Sequence, residues 1–256
     1  MPRETYTATL ISEEMLSEPA QTKHLVFEVK ELERFEFAAG QFVSMTAPDP
    51  KPERAGKIIT RAYSIASASN GRRFDICLNR VPGGFFSNHL CDMKVGEGVS
   101  FHGPHGNFVL RKPLRDSVLI ATGTGIAPMR AFVQWLFADE ARLGEMRMQD
   151  RKIHLVYGTR HATDLYYQSY FRQMAEAFPE IFDYRCTLSR PPEGWSGGKG
   201  YVQEHVREIV KARPEKQRND MDAYICGLND MVSANRQMLT EEFGWDKKQV
   251  IFERYD

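Results

Sequence analysis

SVLIATGTGIAPMRAF, residues 117–132, decides how the chain is to be read. Its first five residues are an uninterrupted apolar run, the pattern of a strand buried on both faces in a parallel sheet. Two glycines then punctuate the chain. Beyond them Phe132, Val133, Leu136 and Phe137 recur at helical spacing within MRAFVQWLFADEARLG. Strand, glycine turn and helix in that order make half of a βαβ unit, and the alternation repeats downstream. IHLVYG, FDYRCTL, DAYICG and QVIFERY read as strands, and the segments around YYQSYFRQMAEAF, VQEHVREIV and MVSANRQMLTEEFG read as helices. Right-handed crossovers and a doubly wound parallel sheet are therefore expected.

Upstream the pattern differs. From Thr5 to about Leu110, short β-rich runs (KHLVFEVKEL, GQFVSMTAP, RAYSIAS, FDICLNRV, GVSFHGP, NFVLRKP) alternate with turn residues, as in an antiparallel barrel. GGFFSNHLCDM interrupts them as a single short helix with glycines at its entry. The change falls near Leu110 to Arg115. A β-barrel domain over residues 1–112 and an α/β domain over 113–256 are expected.

Lysine plus arginine equals aspartate plus glutamate at 34 each, so no global field draws the chain to nucleic acid or to an anionic membrane. The first residues, MPRETYTATLISEEM, carry no signal-peptide pattern and no run reaches spanning length, so a cytoplasmic protein is expected. Cys77, Cys91, Cys186 and Cys226 form no CxxC pair, and no HxxxH or HExxH pairing occurs. Metal chemistry is not expected.

Three segments carry polar chemistry. TRAYSIAS, residues 60–67, offers a cation, an aromatic ring and a hydroxyl in one strand-like run. Alternation puts Arg61 and Tyr63 on one face and Ser64 on the other, so all three can serve one ligand only if the strand bends or is met at its edge. An arginine fork, a stacking ring and a hydroxyl suit a pyrophosphate joined to a flat heterocycle. VPGGFFSNHL, residues 81–90, puts glycines before a helix, where backbone N–H groups can face an anion. GTGIAP, residues 123–128, stands where open parallel sheets bind ligands, although it lacks the GxGxxG spacing.

In this order the segments resemble the ferredoxin–NADP reductase superfamily, over nearly the whole chain. RAYS resembles that family's flavin-binding RxYS segment, PGGFFSN its flavin pyrophosphate segment, GTGIAP its nicotinamide-side loop, and ICGLNDMV its Cys-Gly motif. The resemblance implies FAD and NADPH as cofactors, NADH being second. Arg61 would hold the pyrophosphate, Tyr63 would stack on the isoalloxazine, and Ser64 would bond near the hydride-accepting nitrogen. Ala62, Leu78, Arg80, Gly83, Gly84, Phe85, Phe86 and Ser87 complete the implied flavin site. Gly123, Thr124, Gly125 and Gly227 would line the nicotinamide side. FERY near the chain end resembles the family's terminal tyrosine segment, so Tyr255 would be a movable lid and Glu253 a polar partner of Ser64 and Cys226. Asp256 departs from the pattern by following the tyrosine. Cys226 reads as a nicotinamide contact, since no base adjoins it in sequence.

In CTLSRPPEGWSGGKGY, the residues Ser189, Arg190, Lys199 and Tyr201 fall in the order that surrounds the adenosine 2′-phosphate in NADP-using relatives. Cations and hydroxyls reward a phosphate dianion, whereas a ribose diol favours a carboxylate. NADH-using relatives also carry an RPP segment here. The implied reaction is hydride transfer between NADPH and FAD, and single-electron transfer between FAD and a separate ferredoxin or flavodoxin. Lys51, Arg54, Lys57, Arg61, Arg72 and Arg73, with Glu53 the only acid among them, could steer such an acidic partner. Two alternatives stay open: an NADH-dependent reductase serving a cytochrome, an oxygenase component or free flavin, and a non-catalytic flavin-holding subunit.

Overall fold

The structure is a computed structural model that describes residues 4–255. Its residues divide into two compact units, one reaching Val109 and taking in Arg130–Trp135, the other made of Leu110–Met129 and the chain from Leu136 onward.

The first unit is an antiparallel sheet of β1 (Tyr6–Ser17), β2 (Thr22–Glu28), β3 (Phe42–Pro48), β4 (Ile58–Ser64), β5 (Arg73–Asn79) and β6 (Gly98–His105). Their order is β4-β3-β6-β1-β2-β5, and a bridge from Ile65 to Ile76 brings the end strands together into a barrel. Alternation builds its interior: Ala8 and Leu10 of β1, Leu25 and Phe27 of β2, and Phe74 and Ile76 of β5 have no accessible surface. Phe74 centres an aromatic cluster, with ring centroids 5.5 Å from Phe27, 5.5 Å from Phe35 and 5.3 Å from Phe101. The helix α1 (Phe85–Asp92) packs Phe86 and Leu90 into that core.

Two expectations fail here. NFVLRKP forms no strand; residues 107–113 run as irregular chain. The twelve-residue β1, which pairs with both β2 and β6, escapes the sequence pattern because its second half, SEEMLS, breaks alternation with Ser12, Glu13 and Glu14 exposed in succession.

The second unit is a parallel sheet in the order β10-β9-β8-β7-β11-β12. Its strands are β7 (Ser117–Thr122), β8 (Ile153–Thr159), β9 (Phe182–Leu188), β10 (Gly198–Lys199), β11 (Asp222–Leu228) and β12 (Val250–Tyr255). SVLIA is buried throughout, as a strand covered on both faces must be. Helices α2 (Ile126–Phe137), α3 (Glu140–Met148), α4 (Gln168–Ala177), α5 (Val202–Ala212) and α6 (Asn229–Gln237) connect the strands. On α5, Val202, Val206, Ile209 and Val210 form the one apolar stripe that meets Val118, Ile120 and Val156. The single helix expected over MRAFVQWLFADEARLG is two: the chain breaks at Ala138, and the Asp139 carboxylate caps α3 by accepting the Arg142 N–H at 2.9 Å.

Strand order turns back after β10, since the chain returns to place β11 on the other side of β7. The carboxyl ends of β7 and β11 thus flank the point where neighbouring connections diverge, the place where such sheets leave a crevice. No described helix is long and apolar enough to cross a membrane.

Candidate functional site

In the first unit β4 pairs with β3 through Ser64, opposite Phe42, and the next residue joins both end strands, Ile65 bridging Ile76 of β5 while its N–H donates to the Gln41 carbonyl at 2.9 Å. Arg61 lies on the exposed surface, donating to the Thr60 carbonyl at 2.8 Å, in no ion pair among the described residues. Ala62 is exposed beside it, Ser64 is buried, and Tyr63 is half-buried with its ring 6.3 Å from Phe86. Burial pushes the Tyr63 phenol well above its ordinary pKa, Cys91 adding to the shift and Arg61 opposing it. It is therefore a neutral ring with a hydroxyl at neutral pH.

Gly84 is the residue before α1, and Gly83 has φ +72° with nothing within 4 Å of where a Cβ would stand. A bare glycine turn and the first helical N–H groups, which have no acceptor within the helix, make an opening that a pyrophosphate fits. The turn is braced from behind. The Val81 N–H donates to Ser87 Oγ at 3.0 Å, and the Asn88 amide donates to the Val81 carbonyl at 2.9 Å. Arg80 joins this bracing, bonding Asn88 at 2.8 Å and Asp92 at 2.6 Å. Leu78 and Phe86 lie in the core, 3 % exposed each, and Phe85 stacks on His89. Sequence reasoning missed Arg130, whose guanidinium donates to the Ala66 carbonyl at 2.7 Å and pairs with Asp75 at 2.9 Å, holding the chain just past Ser64.

In the second unit a short 3-10 turn, Gly123–Gly125, leads from β7 into α2. Gly123 has φ +54° and open space where a Cβ would stand. Gly125 is demanded by contact, because a Cβ there would lie 2.2 Å from the Cys226 carbonyl oxygen. Gly227, at φ +148°, is demanded likewise, with Thr122 Oγ1 2.3 Å from its virtual Cβ. The carboxyl ends of β7 and β11 therefore touch backbone to backbone. Thr122 Oγ1 is buried there without a hydrogen-bond partner, an orphan that a ligand donor or acceptor would satisfy.

β11 pairs with β12 so that Cys226 faces Glu253 and Leu228 faces Tyr255. Burial drives the Cys226 thiol far above its ordinary pKa, opposed by the Tyr255 hydroxyl beside it and reinforced by Glu253. It stays a thiol, fit for contact and unfit for nucleophilic attack. Glu253 and Tyr255 are half-buried; Asp256 lies outside the described residues.

At the carboxyl end of β9, the Ser189 N–H donates to the Thr159 carbonyl at 3.0 Å and the Arg190 N–H to the Arg160 carbonyl at 3.1 Å. Lys199 pairs with Leu188 across β10 and β9, and Tyr201 directly precedes α5. Arg190, Lys199 and Tyr201 are exposed, and neither cation is in an ion pair among the described residues. The fold thus gathers the four residues named from sequence and adds Arg160, also exposed, which sequence reasoning missed. Its position one residue past a parallel strand was the available signal.

A family model described as "Oxidoreductase FAD-binding domain" matches residues 7–110, and one described as "Oxidoreductase NAD-binding domain" matches residues 119–237. The chain is 35% identical to ferredoxin–NADP reductase B of Sorangium cellulosum (strain So ce56), over 99% of this chain and 98% of that one. It is 32% identical to the toluate 1,2-dioxygenase electron transfer component of Pseudomonas putida, over 98% of this chain and 67% of that one. Among solved structures, the Amycolatopsis cytochrome P450 reductase GcoB superposes with a TM-score of 0.79 at 26% identity, covering 99% of this chain and 70% of that one. The glycine turns and the barrel-plus-parallel-sheet architecture fit FAD and a nicotinamide nucleotide, and the chain belongs to the ferredoxin–NADP reductase superfamily of FAD-dependent oxidoreductases.

Proposed function

We propose that the chain is a ferredoxin– or flavodoxin–NADP reductase, moving hydride between NADPH and FAD and single electrons between FAD and a separate acidic carrier. In this reading residues 1–112 carry the flavin and residues 113–256 the nicotinamide nucleotide. The observation that carries the preference for NADPH is the group Ser189, Arg190, Lys199 and Tyr201, whose cations have no carboxylate partner among the described residues. Unneutralised cations beside two hydroxyls favour a phosphate dianion over a ribose diol. The relative of similar length, named a ferredoxin–NADP reductase, supports the same reading.

FAD, when bound, supplies chemistry that no side chain has: it takes up two electrons together and gives them up singly. This chain's residues bind and orient. Arg61 meets a phosphate with its fork, and the N–H groups at the start of α1 meet the same charge. Tyr63 offers a neutral ring face and Ser64 a hydroxyl one residue on. Thr122 Oγ1, Cys226 and Glu253 give the nicotinamide carboxamide its polar contacts, and Tyr255 covers the ring position until the nucleotide arrives.

The reading is tested by turnover with NADPH and NADH. Replacing Arg190 and Lys199 with alanine is expected to raise KM for NADPH by about a hundredfold or more, each charge-assisted contact being worth roughly 1.5–3 kcal/mol, and to leave NADH nearly unaffected. Equal losses with both nucleotides would make the 2′-phosphate assignment wrong. A second reading, an NADH-dependent reductase of an oxygenase, is supported by the toluate dioxygenase component. A wild-type preference for NADH would select it.

A further inference from the structure

Tyr157 lies in β8 with no accessible surface, where an unused hydroxyl would carry a desolvation cost. Its hydroxyl stands 3.0 Å from the Gly123 carbonyl oxygen and 3.0 Å from the Asp164 carbonyl oxygen. Those carbonyls belong to the turns that follow β7 and β8, at the carboxyl ends of two central strands. A phenylalanine would fill the same space. The hydroxyl is therefore doing something that packing alone does not need.

What it does follows from peptide geometry. The Gly123–Thr124 peptide is trans, so its N–H points opposite to its carbonyl. The carbonyl is drawn inward by the Tyr157 hydroxyl and by the Ile126 N–H. The Thr124 N–H accordingly faces away from Tyr157. Glycine at φ +54° permits this peptide to rotate, and of the two bonds that hold its carbonyl the Tyr157 hydroxyl supplies the one from outside the turn.

We propose that Tyr157 is a positioning residue for the nicotinamide nucleotide: its hydroxyl sets the Gly123–Thr124 peptide and so presents the Thr124 N–H to the dinucleotide. The inference rests on the nucleotide reading of the Gly123–Gly125 turn. Tyr224 is a matched control. It is almost as buried, on the strand beside β7, and its hydroxyl accepts from the Arg111 N–H at 2.9 Å.

The FAD-loaded full chain, Tyr157→Phe and Tyr224→Phe would each be titrated calorimetrically with NADP+ and with adenosine 2′,5′-bisphosphate. Tyr157→Phe is expected to weaken NADP+ about fivefold, the worth of one buried hydrogen bond, and to leave the bisphosphate unchanged. Tyr224→Phe is expected to move neither. Unchanged NADP+ affinity in Tyr157→Phe, equal weakening of both ligands, or the same loss in Tyr224→Phe would each overturn the inference. Wild-type protein that binds neither ligand would instead sink the nucleotide reading of the turn. Amide hydrogen exchange on the wild type gives a readout independent of any variant. The Thr124 N–H should exchange fast in the free protein and become protected by NADP+, and no change in its protection would also overturn the inference.

Discussion

Gly125 shows how little freedom one residue of this site has. Its Cα approaches the Cys226 carbonyl so closely that a methyl group would stand 2.2 Å from the oxygen, and both partners are backbone in a packed sheet. Gly125→Ala should destabilise the protein by about 3 kcal/mol, at the upper end for overpacking, as read from the urea midpoint. Gly123→Ala meets no atom and should cost about 1 kcal/mol, the left-handed backbone alone. Cys226 is the second residue whose surroundings decide its chemistry. Held as a thiol by burial, it should resist iodoacetamide at about pH 8.5 in the native protein, while the half-buried Cys186 is labelled. Native alkylation of Cys226, found by peptide mass mapping, would contradict that environment. Tyr255→Ser should tighten NADP+ if the ring covers the nicotinamide position, and unchanged affinity would remove its lid role.

Between elements, the pairing of β8 with β9 carries an electrostatic contribution that can be titrated. His154 on β8 faces Asp183 on β9 in register, with its Nδ1 3.1 Å from the carboxylate, and Arg185 Nε lies 3.0 Å from the same oxygen. The hydrogen bond from His154, aided by Arg185 and opposed by burial, holds the Asp183 carboxyl down at about 2. Because the folded pKa is below the unfolded one, the stabilisation is fully present above about pH 4 and disappears as pH falls through about 2. With the carboxylate partly exposed, about 1–2 kcal/mol is expected. Asp183→Asn should therefore be less stable than wild type at pH 6 by that amount, with the two denaturation curves converging toward pH 2. A difference that does not shrink on acidification would mean that the pair contributes through packing alone.

For the whole molecule, net charge zero leaves long-range steering to local patches. Along the β3–β4 connection (Lys51, Lys57), on β4 (Arg61) and in the turn before β5 (Arg72), four cations are exposed and in no ion pair among the described residues. Arg54 and Arg73 are partly answered, by Asp49 at 3.7 Å and Glu28 at 3.9 Å. Reversing Lys57 and Arg72 to glutamate should lower kcat/KM for an acidic ferredoxin several-fold at low salt, and the difference should vanish when the Debye length falls to about 3 Å near 1 M salt. An unchanged salt dependence would place the acceptor elsewhere.

Hydrophobic period and punctuation determined much of this from sequence: the apolar run SVLIA, ahead of a glycine turn, reads as a doubly covered strand, and TRAYSIAS, PGGFFSN and GTGIAP in that order carried the family resemblance that the FAD- and NAD-binding domain matches bear out. Local pattern did not reach what depends on a neighbour distant in the chain. Nothing in β1 announces that it pairs on both sides, nothing in Asp139 requires a break until its side chain caps α3, and nothing near Arg80 announces its pairing with Asp92. Tyr157, Arg130 and Arg160 belong to the same class, since a hydrogen bond spanning 34 residues or more, or two loops brought side by side, exists only once the sheet has formed. Composition and spacing are properties of one segment, whereas a contact is a property of two. Tertiary structure alone decides which second segment arrives.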